Sequence, residues 1–93
     1  MTVDDTIRTK LIVALEPTRL DVINESEMHA GHRSSPGTGT SHYRLIIVSS
    51  QFEGATRVDR HRLVNAALAD ELAPGGIHAL AIHAYAPDEP VRQ

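Results

Sequence analysis

The stretch that most constrains this chain runs from Val58 to Tyr85, VDRHRLVNAALADELAPGGIHALAIHAY, where a helical pattern passes directly into a strand pattern. Val64, Ala67, Leu68 and Leu72 fall at i, i+3, i+4 and i+8, one face of a helix read over residues 57–72. Thr56 stands three residues before Asp59, which predicts a hydroxyl cap with an acidic residue in the first turn. Pro74-Gly75-Gly76 ends the helix, because proline breaks the hydrogen-bond ladder and glycine accepts positive φ. From Ile77 the period becomes two, with His78, Leu80 and Ile82 on one side and Ala79, Ala81, His83 and Tyr85 on the other. On this reading His78 opens a strand at the edge of its buried face, and Leu80 and Ile82 pack under the helices.

Upstream, Thr2 to Leu15 reads as an amphipathic helix with Ile7, Leu11, Ala14 and Leu15 on one face. Asp4 and Asp5 suit the positive end of its dipole, and Pro17 closes it. Leu20 to Ile23 alternate as a short strand over Arg19–Asn24. Residues 25–41 (ESEMHAGHRSSPGTGTS) lack periodicity, which predicts a mobile loop that orders on a partner. His42 to Ser49 is the most β-prone run, and its continuous apolarity predicts a central strand. Phe52 to Ala55 makes a turn, and residues 86–93 read as an irregular tail broken by Pro87 and Pro90.

The order helix, strand, strand, helix, strand makes an α+β fold: a two-layer α/β sandwich with helices on one face of a three-stranded sheet. The 93 residues fit one domain. Because there is no cysteine, the chain has no disulfide, no thiolate nucleophile and no cysteine-ligated metal site of its own. The net charge of −3 argues against general coating of nucleic acid. No apolar run reaches membrane-spanning length and the N-terminus has no leader character, so a cytoplasmic protein is expected.

Several motifs together resemble the BolA-like proteins. They are Asn24-Glu25-Ser26 followed by His29, Ser41-His42-Tyr43 leading into Ile46-Ile47-Val48-Ser49, Phe52 with Gly54, RHRLVNAALADEL at 60–72 and IHAL at 77–80. The likeness spans Ile7 to Pro87, nearly the whole chain. It implies a class II KH-like fold with a short helical turn between the second strand and the long helix. It further implies a monothiol glutaredoxin partner, with a [2Fe–2S] cluster shared between the two proteins and glutathione. The implied role is an adaptor in iron–sulfur cluster assembly, trafficking or iron regulation. The implied ligands are His78 and one histidine of the variable loop. Spacing from Glu25-Ser26 favours His29, and His32 and His42 remain alternatives. The resemblance also implies a transcription regulator linked to stress response. Where the family often has a short C-terminal helix, this chain reads Ala86-Pro87-Asp88-Glu89-Pro90.

Taken residue by residue, His29-x-x-His32 lies in a Gly/Ser loop with no third ligand near in sequence, a weak zinc signal. Arg57, Arg60, His61 and Arg62 gather at the start of the long helix, where cations and free N–H groups suit phosphate. They are the candidate residues of a DNA-binding alternative. No Gly-x-x-Gly occurs, which disfavours backbone clamping of the KH type. Glu25, Ser26 and His29 lack an oxyanion hole or nucleophile elbow, so no enzyme activity is expected.

Overall fold

A computed structural model describes residues 2–25, 42–74 and 76–91. The chain folds as α1 (Val3–Leu15), β1 (Arg19–Asn24), β2 (His42–Val48), a 3-10 turn (Ser50–Phe52), α2 (Arg57–Ala67) and β3 (Ala79–Tyr85). The strands form one sheet in the order β1-β2-β3, with β1 antiparallel and β3 parallel to the central β2. α1 packs against β1 and α2, and α2 against β3.

α1 begins at a reciprocal cap. Thr2 Oγ1 accepts the Asp5 N–H at 3.1 Å and Asp5 accepts the Thr2 N–H at 3.2 Å. Those bonds hold the Asp5 carboxyl below the ordinary aspartate range. Ile7, Leu11 and Leu15, each four residues apart, are buried, whereas Ala14 is exposed, contrary to the expected face. The helix closes with Glu16 at φ 45, its N–H bonded to the Ile12 carbonyl. This left-handed residue stands immediately before Pro17.

The core joins Ile7, Leu11 and Leu15 to Val22, Tyr43, Leu45, Ile47, Phe52, Val64, Leu68 and Ile77. Every second residue of β2 belongs to it. The central placement of β2 also buries Ile46 and Val48, which explains the unbroken apolar run. Leu80 and Ile82 pack against the core from β3 but are half-buried. Edge strands are covered less completely than central ones.

Further sequence expectations need correction. α2 ends at Ala67, not near residue 72, because Leu68 leaves helical dihedrals at φ −108, ψ 21. Val64, Leu68 and Leu72 still contribute apolar surface, since Leu72 N–H bonds Leu68 O at 3.0 Å and prolongs the winding. β3 begins at Ala79, so His78 precedes the strand and is exposed rather than lying at a buried edge. The buried residue at this turn is its neighbour Ile77. Glu25, read as loop, is tied to the sheet: its N–H bonds His42 O at 2.9 Å and its carboxylate meets Arg44 Nε at 3.0 Å. The remainder of that loop, with His29 and His32 and its expected mobility, lies outside the described residues.

Candidate metal centre

Parallel pairing places the beginnings of β2 and β3 side by side. His42 pairs with Ala79, so the residue before β3 comes next to the first residue of β2. The rings of His42 and His78 lie with centroids 5.5 Å apart and planes tilted by 59°. Two of the candidate ligands thus meet at one end of the sheet. His78 makes no hydrogen bond or ion pair among the described residues.

The backbone leading to His78 is held closely. Ile77 N–H bonds Glu71 O at 2.7 Å and Gly76 N–H bonds Ala73 O at 2.9 Å. Gly76 lies so near this turn that an added Cβ would collide with the Glu71 carbonyl oxygen and sit 3.1 Å from that of Ala73. Across the core, Lys10 Nζ reaches Glu71 at 2.9 Å and Asp70 at 3.4 Å. The bond to Glu71 raises the Lys10 ammonium above its usual range. On the other side, Tyr43 beside His42 donates its hydroxyl to Asp4 at 2.6 Å. Burial first, and that bond second, push the phenol well above the ordinary tyrosine range. α1 therefore braces β2, which carries His42, and the turn that leads to His78.

The remaining described histidines lie elsewhere. His83 is on β3, its Nε2 3.3 Å from Arg44 Nη1. His61 lies on α2 and lines, with Arg57, Arg60, His83, Tyr85 and Glu89, a groove of about 550 Å³. The four cationic candidates of the helix start do not form one exposed patch. Arg60 is clamped by Glu89 at 2.6 and 3.2 Å, donates to Ala55 O and Ala84 O, and stands 5.9 Å from the Phe52 ring centre. Arg62 is exposed and 3.7 Å from Asp59, leaving Arg57 and His61 to face the groove. The Arg60 contact, followed by the Ala86 N–H, holds the Glu89 carboxyl below its ordinary range.

The pairing of Glu89 with Arg60 was not apparent from sequence, where residues 86–91 show only proline-broken polarity. They carry no helix or strand, yet Ala86 is buried and Glu89 anchors the segment. The His42–His78 juxtaposition was equally hidden, because it depends on which strands pair. Among the described residues no group of three or more metal-ligating side chains occurs. With no cysteine in the chain, further ligands to a metal centre here must come from the loop or from another molecule.

Among the described residues, no helix is long and apolar enough to cross a membrane. The family profile described as BolA-like protein matches residues 11–89. BolA-like protein 1 of Homo sapiens is 53% identical over 85 residues; the match covers 91% of this chain and 58% of that protein. The DNA-binding transcriptional regulator BolA of Vibrio cholerae is 49% identical over 87 residues, covering 94% and 77%. The solved BolA domain of SufE1 from Arabidopsis thaliana superposes with a TM-score of 0.84 at 42% identity, covering 97% of this chain and 98% of that one. The chain belongs to the BolA-like protein family.

Proposed function

We propose that this protein is an adaptor that binds a monothiol glutaredoxin and contributes histidine ligands to a shared [2Fe–2S] cluster. The observation that carries the proposal is the exposed His78 ring, held on a braced turn beside His42 at the mouth of the loop that bears His29. The donor set fits such a centre: imidazoles on this chain and no thiolate, so the partner and glutathione supply the sulfur ligands. His78 would hold one iron together with a second histidine, His29 by the resemblance, with His32 and His42 as alternatives. The cluster supplies one-electron chemistry, and nitrogen ligation raises its potential relative to all-thiolate ligation.

The chain's own contribution is positional. A loop histidine loses backbone and side-chain freedom when it ligates, whereas the backbone before His78 is already ordered by folding. Ligation also requires a neutral imidazole, so protons compete with the metal for the ring nitrogen. The test is the visible absorption and circular dichroism spectrum of this chain mixed with a holo monothiol glutaredoxin. A spectrum distinct from that of the glutaredoxin alone is expected, and one equal to the sum of the parts would overturn the proposal.

A second reading, contact with duplex DNA through the start of α2, is favoured by one observation: Arg57 and His61 both face the groove beside β3. The name of the Vibrio cholerae relative points the same way. With Arg60 clamped by Glu89, few cations remain to neutralise phosphates, and a shallow salt dependence is expected.

A further inference from the structure

The acidic residue that clamps Arg60 has the form of a ligand. Glu89 meets the guanidinium with both carboxylate oxygens, Oε1 on Nη1 at 2.6 Å and Oε2 on Nη2 at 3.2 Å. A phosphodiester offers two non-bridging oxygens, also sharing one negative charge, to the same planar fork. We infer that Glu89 is an internal competitor of phosphate: it occupies the Arg60 end of the groove between α2 and β3, and nucleic-acid phosphate binds there by displacing it. This role for Glu89 rests on the reading in which the start of α2 contacts duplex DNA.

The groove is otherwise prepared for an anion. Among the described residues that line it, Glu89 is the one carboxylate, set against Arg57, Arg60, His61 and His83. Arg57 and His61 make no ion pair among the described residues. Arg60 is oriented by more than Glu89. Its Nε donates to Ala55 O at 3.1 Å, its Nη1 to Ala84 O at 3.2 Å, and the Phe52 ring centre lies 5.9 Å away. The guanidinium therefore keeps its place when the carboxylate leaves. The carboxylate, in contrast, is displaceable. Its side chain is 40% exposed, against 13% for Arg60, and it is carried by residues 86–91, which form neither helix nor strand. Its other ties are local: Oε1 accepts the Ala86 N–H at 2.6 Å, and the Glu89 N–H donates to Ala86 O at 3.0 Å. A half-exposed ion pair is held weakly in water, so a phosphate flanked by Arg57 and His61 can exchange for it.

The test titrates a fluorescent duplex DNA with the chain over a range of NaCl concentrations. Glu89→Gln removes the charge and keeps an oxygen for the Ala86 N–H. It should bind about tenfold tighter than the parent at low salt, the worth of one charge-assisted bond. The slope of log K against log salt should steepen by about 0.9, the counterion release of one further phosphate contact. Asp88→Asn makes the same change in net charge on an exposed neighbour and should leave the slope at the parent's value. The unmutated chain gives a second readout. As DNA is added, the magnetic-resonance signals of the Arg60 guanidinium and the Glu89 carboxyl should move together as the pair opens. The role of Glu89 is overturned if Glu89→Gln and the parent bind with equal affinity and slope, or if Asp88→Asn gains as much. It is also overturned if both signals stay still while DNA binds the parent. Binding by neither the parent nor Glu89→Gln would remove the DNA reading together with it.

Discussion

Tyr43 ties three elements together through one hydroxyl. It donates to Asp4 at the start of α1 and lies 3.4 Å from Asn24 Nδ2 at the end of β1, while its ring sits in the core from β2. Its folded pKa is raised, so its contribution to stability is fully present below the unfolded value of about 10 and is lost as pH rises beyond it. Absorbance at 295 nm should show one phenol titrating above the ordinary range. Tyr43→Phe should remove that late step and cost about 1 kcal/mol in denaturant unfolding, the net worth of such a bond. A second residue acts through absence. Gly76→Ala forces a methyl against the Glu71 carbonyl, and overpacking of this kind costs about 1–3 kcal/mol. The same substitution should weaken metal binding at His78, because that turn sets where the next strand begins. Gly54, at φ 70 in an open turn, is glycine for a different reason: any side chain there is strained by the backbone alone.

At the level of elements, the parts legible in sequence are those set by period. The short alternating run around Leu20 to Ile23 is a strand over Arg19–Asn24, and the apolar run after His42 is the central strand. The Thr56 cap was equally readable, since its hydroxyl accepts the Asp59 N–H at 3.1 Å. Thr56→Ala should cost about 1 kcal/mol, measured by thermal or denaturant unfolding. The end of α2 was not readable, because Leu68 to Leu72 keep both helical propensity and apolar spacing. Their winding loosens within turns linked to Lys10 on α1. β2 dominates the core, so Ile47→Ala should lose about 2–5 kcal/mol, as deletion of a fully buried aliphatic side chain does. The 86–91 segment depends on a charge pair. Glu89 has a depressed folded pKa, so its stabilising effect is present above the unfolded value of about 4.5 and disappears as pH falls through the folded one. Glu89→Gln should flatten the acid limb of the stability profile, and an unchanged limb would remove this role.

Across the whole molecule, the design is a sheet covered on one face by two helices, with His42 and His78 brought together where β2 and β3 begin. The family and fold were legible because several motifs recur in order along most of the chain, from Asn24-Glu25-Ser26 to the IHAL run. Of the candidate site, His78 and His42 were each nameable from sequence, but their standing side by side was not, since a parallel pairing joins positions remote in sequence. The same topology separates the two functional readings in space: the imidazole pair occupies one end of β3, and the groove with Arg57 and His61 flanks its other end. His78→Ala should therefore abolish the spectrum of the mixed complex without altering weak DNA retention, and Arg57→Ala should do the reverse. The central claim is that an imidazole of this chain ligates the shared cluster. Pulsed electron paramagnetic resonance of the reduced mixed complex, with this chain carrying ¹⁵N-histidine, reads that bond directly. A strongly coupled ¹⁵N nucleus that vanishes in His78→Ala is the predicted result; no histidine nitrogen coupling from this chain, or coupling unchanged in His78→Ala, would contradict it.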